Sequence, residues 1–255
     1  MGDLPWWVPG VIAALVVSIL EWRRRSKTQP TVQISAPVSE VSAVEIKSEP
    51  DKPIGFGRKN KWVAVQATDP ALLSEALQLT AVEPCNWHSG FLAAYAYPSD
   101  QVFVTPPLDR WVLAVGAGLP DPSDPQALTR WRSMMSTLSE IFGVAQYFAT
   151  HRASSYTAWA RYSAGVEERL FAHADDPIHD IGQPLPEESE ILARLPDPTA
   201  DEADPDYWRR NDIRTPEEED VLHLAAAWSF DPTTLDSMDR GPSVGLVGRM
   251  ANQRA

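Results

Sequence analysis

The chain has 255 residues, 44% of them hydrophobic, with ten tryptophans and a formal net charge of −13. Residues 62–255 carry 13 arginines and 29 acidic residues, and this net charge of −16 argues against nucleic acid as a partner, because it repels phosphate backbones. The single cysteine, Cys85, excludes an internal disulfide bond.

The chain opens with an uncharged run, Leu4–Leu20, that lies between Asp3 and Arg23–Arg25. A cleavable signal peptide would carry its basic residues before the run, and a buried helix would need a cover that nothing nearby supplies. We therefore predict a transmembrane anchor over residues 1–25, with residues 4–22 in the lipid bilayer. Because the arginines follow the run, the N-terminus is expected outside the inner (cytoplasmic) membrane and the soluble domain in the cytoplasm.

Residues 26–54 are rich in Ser, Thr, Pro, Val and Glu and contain no aromatic residue. This composition predicts a disordered linker. A soluble domain is expected over residues 55–236, followed by a disordered tail over residues 237–255.

Alternating apolar residues predict a first strand at 61–68. Asp69-Pro70 then supplies a helix N-cap and a first-turn proline, which predicts a helix ending near Leu79. The segment EPCNWHSG is expected to be a loop, and three further strands are predicted at 91–97, 102–105 and 111–116.

A second round begins with a predicted helix over residues 126–142, ended by Gly143. Strands are predicted to follow at 144–150, 156–162, 166–174 and 179–181. The fold class is therefore α+β, with antiparallel meanders and packed helices. The similar order of the two rounds predicts a duplicated helix-meander unit, although their sequences match weakly. Further on, a short helix is predicted at 186–195, a capping box at Thr215–Glu218 starts another helix, and Asp231 caps a turn.

Four segments in this order resemble a family of uncharacterised bacterial proteins: KWVAVQATDP, VFVTPPLDRWVLAVG, FATHRASSYTAWAR and EEEDVLHLAAAWSFDPTTL. The resemblance covers roughly residues 60–236. It implies no activity and no catalytic residue.

The densest group of candidate metal ligands is His173, Asp175 and His179, on either side of Asp176-Pro177. A hairpin turning there would bring two imidazoles and a carboxylate together, a donor set that suits Zn²⁺ or another transition metal. The alternative is an ordinary turn, since Asp-Asp-Pro is typical turn chemistry and the spacing matches no strong zinc signature.

Two other groups of residues are candidate functional sites. Cys85 and His88 could form a nucleophile and base, with His151 as an alternative base. The segment His151-Arg152, followed by Ser154 and Ser155, could bind an anion or simply end a strand. The sequence contains no glycine-rich phosphate loop and no hydrolase or kinase signature, and it leaves any cofactor unknown.

These features favour a membrane-anchored cytoplasmic domain that binds another protein. The acidic domain favours a basic partner. The alternative is a metal-dependent or cysteine hydrolase, and whether the protein is an enzyme is left open by its sequence.

Overall fold

The computed structural model describes residues 44–96, 99–197 and 212–251. Within these residues nine strands form one antiparallel sheet: β1 (Lys61–Gln66), β2 (Thr80–Asn86), β3 (Gln101–Val104), β4 (Trp111–Val115), β5 (Val144–His151), β6 (Tyr156–Ser163), β7 (Val166–His173), β8 (Pro177–Ile181) and β9 (Val244–Arg249). The spatial order is β2-β9-β3-β4-β1-β5-β6-β7-β8. The predicted α+β class with an antiparallel sheet is therefore confirmed.

Helices cover both faces of the sheet. Those in the described residues are α1 (Pro70–Ala76), α2 (Trp87–Tyr95), α3 (Leu128–Phe142), α4 (Ser189–Leu192) and α5 (Glu218–Trp228), with 3-10 helices at Arg152–Ser154, Pro186–Glu188 and Pro232–Ser237. Helices α1 and α3 share one apolar core with the sheet, on what we call the α3 face. Helices α2 and α5 share the other, on the α5 face.

Strand β1 lies at the centre because its side chains are apolar on both faces. Trp62 contributes to the core of the α5 face and Val63 to that of the α3 face, and neither side chain is exposed. The strand pairs with β4 on one side and β5 on the other. The loop before β1 is thereby held against the end of β5, where the N–H of Thr150 donates to the carbonyl of Asn60.

The first half of the domain differs from its prediction between residues 80 and 95, whereas the predicted strands β1, β3 and β4 and the helix α1 are formed. Residues 91–95, expected in a strand, belong to α2, and the expected loop around Cys85 forms the end of β2 and the start of that helix. The side-chain amide of Asn86 caps α2, and the carboxylate of Asp51 adds a second cap by accepting from the N–H groups of Trp87 (2.7 Å) and His88 (3.0 Å). Because strands and helices alternate here, the predicted duplicated helix-meander unit is not formed in this half.

Residues 128–181 follow their prediction. Helix α3 ends at Gly143, whose φ of 81° suits a residue without a Cβ, and β5 to β8 follow as an antiparallel meander. The turn between β6 and β7 is made by Ala164 and Gly165, both with positive φ, as a two-residue hairpin with right-handed twist requires.

Both ends of the domain predicted over residues 55–236 extend beyond those boundaries, and two expectations are corrected. Part of the expected linker is ordered, since Val44, Ile46 and Ile54 pack on the core of the α5 face. Part of the expected disordered tail forms β9, which pairs with β2 and β3. Neither segment has a strong local pattern, and each is ordered by contacts with residues distant in the chain.

Across the described ranges, no helix combines the length and the apolar character that crossing a membrane would need. The predicted anchor over residues 4–22 lies outside these ranges.

Candidate functional site

The predicted metal ligands belong to the β7–β8 hairpin but do not come together. The strand register puts the side chains of His173 and His179 on opposite faces of the sheet. The His173 ring stacks on Phe171 on the α5 face, while His179 Nε2 lies 2.9 Å from the carbonyl oxygen of Pro122. Asp175 is exposed in the turn. No group of three His, Cys, Asp or Glu side chains in the described part of the chain could hold a metal ion.

Cys85 is a poor nucleophile in this fold. Its side chain is completely buried, and burial, with smaller contributions from Glu83 and Asp51, raises the pKa of the thiol to about 12. A thiol with this pKa is protonated at neutral pH. His151, the alternative base, lies in β5, five strands away in the sheet order, where its Nδ1 is 2.9 Å from Ser154 Oγ.

A closed polar cluster on the α3 face centres on Asp121. The Tyr156 hydroxyl donates to Asp121 Oδ1 (2.6 Å) and the Tyr147 hydroxyl to Oδ2 (3.2 Å), while Lys61 Nζ lies 3.9 Å from Oδ2. Burial raises the pKa of both tyrosines and lowers the pKa of Lys61. Because Tyr147 has no exposed surface, this cluster is best explained as the anchor of the loop that contains Asp121.

An open cleft lies on the α5 face, between the turn after β5 and the start of α5. We call it the charged cleft; it has a volume of about 430 Å³ and is lined by Arg58, Arg152, Ser155, Tyr156, Thr157 and residues 215–219. This volume lies within the usual range of ligand pockets. Three separate parts of the chain form it: the loop before β1, the β5–β6 turn and the first turn of α5.

Glu218, the first residue of α5, organises the charged cleft. Its Oε1 accepts from Arg152 Nη2 (2.7 Å) and Arg58 Nη1 (3.4 Å), and its Oε2 accepts from the N–H of Lys59 (2.9 Å) and lies 3.1 Å from Thr150 Oγ1. Only 9% of the residue is exposed. Burial acts to raise the pKa of Glu218, but the hydrogen bonds from Arg152, Lys59 and Thr150 outweigh it and lower the pKa. The carboxylate is therefore ionised at neutral pH and holds two guanidinium groups side by side.

The other two carboxylates of the cleft also have basic partners. Glu219 accepts from Arg58, and Glu217 lies 3.0 Å from Arg214. Both carboxylates are more than half exposed. The rim of the cleft therefore presents acidic side chains to solvent, whereas its inner carboxylate, Glu218, is nearly covered.

The capping box predicted at Thr215–Glu218 is wrong in its position. The N-cap is Glu217, not Thr215, and the N–H of Glu217 donates to Asp220 Oδ2 (2.9 Å). Asp220 is nearly buried between Arg194 and Arg214. Thr215, released from the capping role, lines the cleft instead.

One part of the cleft lining had been identified from the sequence as a candidate site. Arg152 and Ser155 lie in the segment predicted as an anion site or a strand end, and both line the cleft. The pairing of Arg58 with Glu218 was missed because the two residues are 160 positions apart in the chain. The local sequence of Glu218 predicted only a capping box.

No family model, no curated protein and no solved structure matches this chain. The resemblance over residues 60–236 to a bacterial family therefore stays a prediction, and the charged cleft must be interpreted from its own chemistry.

Proposed function

We propose that this chain is a non-enzymatic protein-interaction module, anchored in the inner membrane through residues 4–22 with its domain in the cytoplasm. The partner protein docks at the charged cleft. The observation that carries this proposal is the cleft itself: it is open, it is lined by charged side chains of both signs, and its arginines are held in place by a nearly buried carboxylate.

The negative charge of the domain favours a partner protein with a basic surface. Residues 62–255 have a net charge of −16, and Glu217 and Glu219 stand exposed at the rim of the cleft. A partner surface with basic residues around its point of contact would be attracted over a distance and oriented on approach. A hydrolase is the weaker alternative, because the Cys85 thiol is buried and the predicted metal ligands lie apart.

The test is crosslinking of the full chain in membranes, followed by affinity recovery, with charge-reversal variants of the cleft. Arg152→Glu and Glu219→Lys each invert an exposed charge of the cleft. Arg132→Glu is the matched control, since Arg132 is 43% exposed and pairs with Glu167 on the α3 face.

A stoichiometric partner should be recovered with the unaltered chain and with Arg132→Glu, and its yield should fall with both cleft variants. Recovery of no stoichiometric partner, or equal recovery with all four chains, would contradict the proposal.

Topology needs a separate test. Cys85 is buried, so a cysteine introduced at Ile141, which is 56% exposed, provides a selective labelling site. A maleimide that cannot cross membranes should label this cysteine only after the cells are permeabilised. Labelling in intact cells would show that the orientation is wrong.

A further inference from the structure

We propose that the charged cleft contains an oxyanion subsite, in which Arg58 and Arg152 together bind a carboxylate or phosphate group. This inference rests on the proposed docking at the cleft and specifies what the partner inserts there. The subsite consists of the two arginines beside Glu218, whereas Glu217 and Glu219 meet the basic surroundings of the inserted group.

The two guanidinium groups are positioned in advance. Glu218 Oε1 accepts from both of them, and its own position is fixed by the N–H of Lys59 and by Thr150. The arginines therefore lie together before any ligand arrives, which removes part of the entropic cost of ordering them.

Arg58 and Arg152 both keep spare donor capacity. A guanidinium has five N–H donors, and within the described residues Arg152 uses one nitrogen and Arg58 uses one. Their side chains remain 58% and 52% exposed. An anionic ligand that enters between these two side chains therefore meets free N–H groups, whereas Glu217 and Glu219 remain accessible to basic groups of the partner.

A hydroxyl group adds to this donor capacity. Thr157 lines the cleft, is 3% exposed, and its Oγ1 has no hydrogen-bond partner in the described part of the chain. An unpaired polar atom that is this well buried is uncommon in folded proteins, and a ligand is one means of satisfying it.

The competing internal anion is easy to displace. Glu219 binds Arg58 in a pair in which both side chains are more than half exposed, and such pairs contribute little to stability. An incoming oxyanion can take this position on Arg58 while it also binds Arg152. Glu218 stays in place because its lowered pKa keeps it ionised and because four groups hydrogen-bond to it: Arg152, Arg58, the N–H of Lys59 and Thr150.

Carboxylate and phosphate share the chemistry that a pair of guanidinium groups recognises. The first could come from an acidic side chain or the C-terminus of the partner, and the second from a phosphorylated residue. Two probes separate these sources. Sodium acetate and sodium phosphate are titrated into the full chain in detergent micelles, with the ionic strength held constant by sodium chloride.

Binding is followed through the Nε–H resonances of ¹⁵N-arginine, a readout that does not depend on stability. At least one anion should shift the resonances of Arg58 and Arg152 in a saturable manner. Binding should weaken about tenfold or more in Arg152→Gln, as expected for the loss of charged hydrogen bonds. Arg152→Lys, which keeps the charge but loses the planar fork, should bind with intermediate affinity, and Arg132→Gln on the α3 face should bind like the unaltered chain.

A response to phosphate alone assigns the subsite to a phosphorylated residue, and a response to acetate alone assigns it to a carboxylate. Absence of saturation with both anions overturns the inference, as does an affinity that is the same in Arg152→Gln. These results are distinguishable from a failure of the proposed function. If partner recovery still depends on Arg152 while neither anion binds, the docking proposal stands and the oxyanion subsite does not.

Discussion

The ion pair between Arg169 and Glu188 gives the sharpest test of how the α5 face is held together. Neither side chain is exposed at all. Glu188 Oε1 accepts from Arg169 Nε (2.7 Å) and Trp159 Nε1 (2.6 Å), and Oε2 accepts from the N–H of Leu185 (2.7 Å). The 3-10 helix Pro186–Glu188 is thereby fastened to β6 and β7.

The substitution Glu188→Gln removes the negative charge and turns one acceptor into a donor that faces other donors. Arg169 keeps a bond to Asp180 (2.6 Å), but that carboxylate is 60% exposed and screened by water. Leaving a buried charge without its buried partner costs about 3–5 kcal/mol. We expect the free energy of unfolding to fall by that amount, measured by urea denaturation followed by far-UV circular dichroism.

A double-mutant cycle with Arg169→Met isolates the interaction. If the charges interact as the geometry indicates, the double variant loses less stability than the sum of the two single losses, because no unpaired buried charge remains. Two results would refute this reasoning: a loss below about 1 kcal/mol for Glu188→Gln, or costs that simply add.

Three further experiments test other parts of the domain. Glu218→Gln should lower the free energy of unfolding by about 1–3 kcal/mol at neutral pH. Because the pKa of Glu218 is lowered in the folded state, this difference in stability should shrink as the pH falls below 4.5, the ordinary pKa of the carboxyl group. A difference that does not depend on pH would contradict this explanation. Cys85, with no exposed surface and a thiol pKa of about 12, should react with Ellman's reagent only after denaturation; rapid reaction of the native chain would show that the site opens. Asp51→Ala removes the carboxylate that caps α2 at Trp87 and His88 and should lower the thermal midpoint by the equivalent of about 1 kcal/mol, whereas an unchanged midpoint would mean that Asn86 caps the helix sufficiently alone.

Elements with strong local signals could be predicted from the sequence. Asp69 caps α1, Gly143 ends α3, and Asp231 caps the 3-10 helix Pro232–Ser237, all as predicted. The four-strand meander also agrees, because its strands are joined by short turns. In each case the deciding interactions lie within a few residues of one another.

Elements stabilised by distant residues could not be predicted. The predicted loop around Cys85 is instead the end of β2, where Pro84 is tolerated because that strand lies at the edge of the sheet. The predicted disordered tail contains β9, where a Cβ at Gly245 would lie 2.4 Å from the carbonyl oxygen of Val104, so glycine is what lets β9 approach β3. The charged cleft could not be predicted for the same reason, since Arg58, Arg152 and Glu218 come together only in the folded chain.

The position of β9 has a consequence for how the protein is made. This last strand of the described chain lies between β2 and β3 and pairs with both. Until Val244–Arg249 leave the ribosome, those two strands have unpaired edges, and such edges invite pairing with other chains. Strand β9 therefore completes the sheet only after the other eight described strands have been synthesised, and a chain cut short before Val244 should aggregate rather than accumulate as a partly folded domain.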